Sequence, residues 1–463
     1  MVHPETGHLP LFVEKMKSAG LQPIVIETFS NYYQTLLSGE DGLIAENKIV
    51  AAQADEFANA EHLTGFEAAG RRALTKAVMI VLNGGLGTSM GLTKAKSLIH
   101  VREGKTFLDI ILKQAADNGV RLALMNSFNT HDDTVSALST IKPELCPWLF
   151  LQHQFPKILQ QTLEPASWPQ NPGLEWNPPG HGDVYMALIT SGILDKLLAS
   201  GISYAFICNS DNLGASLDPG LLGYFSEKDF PFMMEVTRRT ASDKKGGHLA
   251  RMKSGRLILR EAAQCPQEDR RFFEDIDTHC FFNTNNLWIH LGYLKDLVTH
   301  RQSIHLPIIV NPKNLDPRDE TSPKVYQIET AMGSAISLFE GAAAVRVPRS
   351  RFFPVKTCSE LLAVQSDCFE FCGNGRLTIS PKRTLDMITI HLDPEVYRKI
   401  DEYEKRFPNG VPSLIDCRRL TVEGDVAFEK DVILKGEVAI RNRTKSQVVI
   451  SSGSIIEGER VFA

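Results

Sequence analysis

The sequence predicts an α/β protein with a mixed central sheet, followed by a parallel β-helix. Three observations carry that prediction. Short apolar runs alternate with helix-period stretches from Ala77 to Cys208, strand and turn patterns crowd Pro231–Leu291, and a hydrophobic repeat of six residues runs through the tail. Strands alternating with helices indicate a parallel sheet covered on both faces. The run of strands after it adds antiparallel or mixed pairing.

Each element has its own signal. Ala77–Leu82 (AVMIVL) is a short apolar run stopped by Asn83-Gly84-Gly85, as in a strand buried on both faces. Thr106–Asn118 has helical spacing and stops at Gly119. Arg121–Met125 reads as a second strand, Asp183–Ala199 as a second long helix closed by Gly201, and Tyr204–Cys208 as a third strand. Glu329–Glu340 and Cys358–Gln365 are expected helices over the sheet. Earlier, Phe12–Ala19, Ser30–Leu37 and Ile49–Ala60 space apolar residues three and four apart, so residues 1–76 read as a helical segment without chemistry. In the tail, Leu420, Val426, Val432 and Val438 recur every six residues, as do Val422, Phe428, Leu434 and Ile440. Such hexads mark a β-helix, whose six-residue sides stack under one another; a β-meander is the alternative and requires only period two. The expected division is 1–76, a sheet domain over 77–370, and a C-terminal domain over 371–463 with hexads from about 420.

Composition sets limits on function. A chain of 463 residues, 43% hydrophobic and 23% charged, matches a globular protein of two or three domains. A net charge of −5 with both signs interspersed argues against a nucleic-acid partner and leaves room for a local basic pocket. The apolar runs are too short for a membrane span, and Met1–Pro10 lacks the pattern of a secretory leader. Eight scattered cysteines, with only Cys368 and Cys372 close together, predict reduced thiols in the cytoplasm rather than a zinc site.

Three glycine-punctuated loops carry the chemistry. Leu82-Asn83-Gly84-Gly85-Leu86-Gly87-Thr88-Ser89-Met90-Gly91 follows the first strand, with Lys94 and Lys96 beyond it. Its glycines let backbone N–H groups approach an anion. The spacing matches neither a dinucleotide fingerprint nor a P-loop, leaving a loop over a nucleoside triphosphate or a tight structural turn. Pro178-Pro179-Gly180-His181-Gly182-Asp183 opens the expected long helix, where free N–H groups favour anions. A helix cap through Asp183 is the plainer alternative. Cys208-Asn209-Ser210-Asp211-Asn212-Leu213-Gly214 ends the third strand, and an aspartate there suits either a Mg²⁺ ion or a simple turn.

Leu82–Ser97, Leu124–Thr130, Gln152–Ile158, Pro178–Asp183, Asn209–Ala215, Phe282–Trp288, Gln327–Gly333 and Val347–Lys356 together resemble the eukaryotic-type UTP–glucose-1-phosphate uridylyltransferase family, in family order from about 77 to about 450. The resemblance implies a Rossmann-like nucleotidyltransferase domain followed by a left-handed parallel β-helix. It also implies that UTP and glucose 1-phosphate give UDP-glucose and pyrophosphate. On these motifs the backbone of Leu82, Asn83, Gly84 and Gly85 and the side chain of Gln152 would hold uracil. Lys96 and Lys356 would be catalytic, and Gly180 and His181 would contact nucleotide and sugar phosphate. Asn209, Asn285 and Glu329 would face the sugar, and Asp211 would hold Mg²⁺. Subunit contacts would run through the β-helix. One departure stands out: Lys94-Ala95 replaces the family's usual Gly-Pro, adding a charge near the triphosphate. Rival readings are a pyrophosphorylase for N-acetylglucosamine 1-phosphate or several sugars, and a non-catalytic UDP-sugar-binding regulator. A glycosyltransferase would want D-x-D, and Asn209-Ser210-Asp211 lacks the first aspartate.

Overall fold

The buried run Ala77–Asn83 (β1) has no solvent-facing residue, so both of its faces must be covered. A computed structural model of the chain, describing residues 7–39, 42–87, 90–141, 146–301, 304–372 and 375–463, shows how. β1 pairs in parallel with Arg121–Asn126 (β2) on one edge, and β2 pairs in parallel with Trp148–Leu151 (β3). On its other edge β1 pairs in parallel with Tyr204–Asn209 (β4). The sheet then turns antiparallel. β4 pairs with Phe281–His290 (β6), which pairs with Phe232–Arg238 (β5). Ala343–Arg346 (β7) joins β5 in parallel, and Ala58–Asn59 closes that edge. The result is a mixed α/β sheet in the order 58–59, β7, β5, β6, β4, β1, β2, β3.

Strand periodicity places alternate residues on opposite faces. Val78, Ile80 and Leu82 pack into one core with Val184, Leu188 and Leu197, while Met79 and Val81 pack into another with Leu108, Ile111 and Phe225. Helices thus cover both faces. The N-terminal helices Leu9–Ser18 and Pro23–Leu37 make a third core, in which Phe12, Phe29 and Tyr33 meet Phe155, Ile158 and Ile328.

Three expected helices differ. Ile49–Ala51 is a strand antiparallel to 250–252, because tertiary pairing overrides its helix-like spacing. The helix expected over 183–199 splits into Val184–Thr190 and Ile193–Ala199 at Gly192, whose φ of +73° breaks the helical path. Instead of a helix over 329–340, a strand Lys324–Thr330 pairs with Ile308–Asn314, followed by a 3-10 turn over Met332–Leu338. Thr106–Asn118 forms a helix over Phe107–Asp117, and Cys358–Gln365 is helical as expected.

In the tail, Thr389–Leu392 (β8), Cys417–Glu423 (β9), Ile433–Asn442 (β11) and Ile455–Phe462 (β13) form one parallel ladder, and Val426–Phe428 (β10) and Val448–Ile450 (β12) form another. From β9 onward, consecutive strands alternate between the two ladders. Leu420 faces Val438 and Val422 faces Ile440, three hexads along. The strict hexad then lapses, since Val426 faces Val448. The apolar interior of this region also takes in Met90, Ile99 and Val101 from the segment after the glycine loop. Among the described residues no helix is long and apolar enough to cross a membrane, and all eight cysteines are free thiols.

Candidate active site

Parallel sheets gather ligands beyond the carboxyl ends of their strands, and here the motif loops meet beyond β1, β2, β3 and β4. After β4 the chain turns sharply. Ser210 N–H donates to Leu82 O at 3.2 Å, and Asn212 N–H to Asn209 O at 3.2 Å. The turn presents Asp211, only 6% exposed. Its Oδ2 accepts from Lys96 Nζ and from Lys356 Nζ, each at 2.7 Å, while its Oδ1 is buried without a hydrogen-bond partner among the described residues.

Burial alone would raise the Asp211 carboxyl. The ammonium groups of Lys356 and Lys96 outweigh it and hold the group below the usual carboxylate range. Lys96 is itself pulled down, first by burial and further by the charge of Lys356, against the attraction of Asp211. The two directions fit together because one carboxylate serves two cations. Asp211 is doubly compensated: two ammonium groups face its one carboxylate, and Glu360 adds a weaker attraction on Lys96. The cluster therefore has positive charge to offer an incoming anion.

The glycine loop folds over the Lys96 stem. Lys96 N–H donates to Gly85 O at 3.1 Å, and a Cβ on Gly87 would lie 3.4 Å from Lys96 Cγ. Thr88 and Ser89 of this loop, like residues 1–6 of the Met1–Pro10 stretch, lie outside the described residues. Lys94 and Lys96 part company: Lys96 is buried on Asp211, and Lys94 is exposed in a cleft of about 1670 Å³ shared with Gly84, Leu86, Trp176 and Gln327.

Next to it, Asn83 turns its side chain inward, donating to Asn126 Oδ1 at 2.8 Å and Thr134 Oγ1 at 2.9 Å, which ties the ends of β1 and β2 together. Only the main chain of Leu82–Gly85 is left for a ligand at Asn83. A Cβ on Gly84 would fall 2.8 Å from Gln152 Oε1, so glycine lets the Gln152 amide lie against the loop. Gln152 Nε2 donates to Gly180 O at 2.6 Å.

The Pro178–Asp183 loop is clamped by the end of strand 324–330. Thr330 N–H donates to Pro179 O at 2.8 Å, and a Cβ on Gly180, whose φ is +79°, would strike Thr330 O at 2.5 Å. Met332 N–H donates to His181 Nδ1 at 3.0 Å. His181 therefore carries its proton on Nε2. Burial, with the Lys356 charge second, pushes its pKa down to about 4, which keeps the ring neutral. Glu329 stands in the same strand beside Gly180; its carboxyl is raised by burial, against a hydrogen bond from Asn311 and the charge of Lys313. The Asp183 side chain makes no cap for the following helix, which corrects that alternative. It accepts from His153 N–H at 2.7 Å and holds His153 Nδ1 at 2.9 Å, while His153 Nε2 meets Thr190 Oγ1 at 2.9 Å.

Asn209 and Asn285 come to the same end of the sheet, Asn285 two residues beyond the Leu287 that faces Ile207. Asn285 adopts φ +57° near the bulge where the β5–β6 register shifts between Met234 and Val236, and exchanges hydrogen bonds with Asn283 at 2.8 and 2.9 Å. Bulges re-aim side chains in this way.

Sequence reasoning missed the frame that delivers Lys356. Glu235, wholly buried on β5, accepts from Arg351 Nε and Nη2, each at 2.7 Å, and from Trp288 Nε1 and Asn286 Nδ2 at 2.9 and 3.0 Å. Arg351 O accepts from Asn212 Nδ2 at 3.1 Å, Asn212 Oδ1 accepts from Phe353 N–H at 2.8 Å, and Val355 N–H donates to Asp211 O at 3.1 Å. The only signals in the sequence were a glutamate inside an apolar strand and an arginine inside Val347–Lys356. Among the described residues no three His, Cys, Asp or Glu side chains gather as a metal-ligand cluster.

Comparison with known proteins shows the family. A family profile described as UTP–glucose-1-phosphate uridylyltransferase matches residues 26–435. The enzyme of that name from Solanum tuberosum is 42% identical over 400 residues, 84% of this chain and 82% of that protein. The one from Encephalitozoon cuniculi is 38% identical over 460 residues, 97% and 90% of the two chains. A solved structure of a UDP-glucose pyrophosphorylase variant from Leishmania major, in complex with UDP-glucose, superposes with a TM-score of 0.90 at 41% identity, covering 98% of each chain. With the profile and these relatives spanning most of its length, the chain belongs to the UTP–glucose-1-phosphate uridylyltransferase family.

Proposed function

We propose that this protein transfers the uridylyl group of UTP to glucose 1-phosphate, giving UDP-glucose and pyrophosphate. One observation carries the reading: two ammonium groups converge at 2.7 Å on a single buried carboxylate beside a glycine loop, in a chain whose relatives are named for this activity. The phosphate oxygen of glucose 1-phosphate is already a nucleophile, so no general base is required. It attacks the α-phosphorus of UTP in line, and pyrophosphate leaves. Catalysis then rests on positioning two polyanions and neutralising charge on the transferring group.

Lys96 and Lys356 exchange their contact with Asp211 for phosphate oxygens as substrates enter, and act as the catalytic cations. The main chain of Leu82–Gly85 and the Gln152 amide receive uracil, and the main chain of Gly180 contacts the nucleotide. His181 donates from Nε2 to a phosphate oxygen, and it does so as a neutral ring. Asn209, Asn285 and Glu329 take the glucose hydroxyls. The buried, unpartnered Oδ1 of Asp211 fits a hard divalent cation. Asp211 would hold Mg²⁺ there, supplying positive charge shared among phosphate oxygens.

The same reading divides the chain at 76/77 and 370/371, with the tail as a left-handed parallel β-helix. Alternation of strands between two parallel ladders supports the coil. Its exposed edge strand β13 would carry contacts between copies, and the cytoplasm is the proposed location.

Pyrophosphate release from UTP, measured by a coupled assay with a panel of sugar 1-phosphates, tests the proposal. Glucose 1-phosphate should outpace galactose 1-phosphate and N-acetylglucosamine 1-phosphate, and no release with any sugar would overturn it. Asp211→Ala should lower kcat on the order of a thousandfold and abolish the response to added Mg²⁺. An unchanged metal titration would place the ion elsewhere.

A further inference from the structure

We propose that the β- and γ-phosphates of UTP, which leave as pyrophosphate, are held by a second cationic cluster: Lys94 from the glycine loop with Arg398 and Lys399 from the C-terminal region. This rests on the uridylyltransferase reading. In that reading Lys96 and Lys356, both drawn to Asp211, neutralise charge on the transferring group. The rest of the triphosphate points away from them and gains charge as it departs, so it requires cations of its own.

The cleft beside the glycine loop supplies them. Lys94, Arg398 and Lys399 are all exposed, and all line the same cleft as Gly84 and Leu86. Contact between the two segments is direct. Gly91 takes φ +72°, and a Cβ built there would lie 3.1 Å from Lys399 Cγ and 3.4 Å from Lys399 Cβ. The Lys399 stem thus lies against the glycine loop, three residues before Lys94.

The contact is anchored from beneath. Met90 is fully buried in one apolar core with Leu392, Tyr397 and Tyr403, the residues that bracket Arg398 and Lys399. Loop and C-terminal turn are therefore fixed to the same interior, and they keep their cations facing the same cleft. Lys157 and Arg318 line the cleft as well, as do Asp316, Asp401 and Glu404. Five cations against three acids leave a modest positive surplus, which suits a group that must be held during transfer and then released. Solvent-exposed ammonium groups also make the grip sensitive to salt.

The reverse reaction separates this subsite from the rest of the site, because UDP-glucose carries neither the β,γ bridge nor the γ-phosphate. For Lys399→Ala, Arg398→Ala and the triple variant with Lys94→Ala, the KM for pyrophosphate should rise on the order of tenfold per charge removed, as a charge-assisted hydrogen bond predicts. The KM for UDP-glucose should stay within twofold by the same logic of a subsite it does not reach. Lys399→Arg should retain most of the wild-type KM for pyrophosphate, which a purely packing role for the stem would not require. An unchanged pyrophosphate KM, or parallel rises for pyrophosphate and UDP-glucose, would overturn the proposal. A wild-type protein inactive in both directions would instead defeat the uridylyltransferase reading.

Discussion

The two halves of the central sheet frame the candidate site by different means. The parallel half, β4-β1-β2-β3, contributes residues at and just past the ends of its strands: the main chain of Leu82–Gly85, Gln152 after β3 and Asp211 after β4. The antiparallel half, β5 and β6 with their neighbours, contributes through distortion and long-range contact. A bulge near Asn285 re-aims one side chain, and a buried Glu235–Arg351 pair steadies the segment that ends in Lys356. In one half the candidate residues continue the strands; in the other they depart from them.

The comparison is most easily broken at Arg351. Arg351→Met leaves the Glu235 carboxylate buried without its counter-charge and should cost about 3–5 kcal/mol in urea unfolding. A loss below about 1 kcal/mol would show that the antiparallel half does not depend on the pair. Lys356→Ala should spare stability, since the side chain is 56% exposed. It should instead lower kcat on the order of a hundredfold, about 2.7 kcal/mol of transition-state stabilisation. Near-wild-type turnover would leave Lys96 as the sole catalytic cation.

A subtler comparison separates the Asn285 amide from its backbone. Asn285→Ala places a Cβ-bearing residue without a local hydrogen bond at φ +57° and should cost about 1–2 kcal/mol. Asn285→Gly should unfold near the wild-type midpoint, and on the proposed sugar contact both variants should raise the KM for glucose 1-phosphate. Equal stabilities for the two variants would mean the bulge relaxes.

The last effects are slopes in pH, and they have opposite sign at His181 and at Glu261. His181, lowered from 6.5 to about 4 in the fold, binds a proton more readily when unfolded. Stability should therefore fall as pH drops from about 6.5 toward 4, and His181→Gln should remove that slope. Glu261, next to the antiparallel hairpin, is raised by burial from 4.5 to about 7. Its stabilising proton is fully present below 4.5 and lost as pH rises through about 7, so Glu261→Gln should flatten the neutral side. Each slope is at most about 1.4 kcal/mol per pH unit. Identical pH profiles of stability for wild type and variant would remove either assignment.

Legibility in the sequence tracks the same divide. β1, β2 and β4 could be read as apolar runs because burial on both faces leaves no polar alternation, and the loops after them stand out as glycine-rich. Asp211 and Lys96 belong to such loops. The break at Gly192 was present in the sequence, yet helix-period spacing on both sides of it hid a left-handed turn. Ile49–Ala51 and Lys324–Thr330 became strands because their partners, 250–252 and 308–314, supply ladders that spacing cannot foresee. Glu235 and Arg351 are 116 positions apart, and no local pattern joins them. Asn285 was named from its motif alone; the positive φ at that position has no sequence mark.

Met90 shares its apolar cluster with residues as far along the chain as Ile456. Grafting the tail of one relative onto the sheet of another would thus bring mismatched side chains against the loop that carries Lys94 and Lys96. A workable hybrid has to transplant Met90–Val101 along with the tail, even though more than two hundred and fifty residues separate that stretch from Phe353.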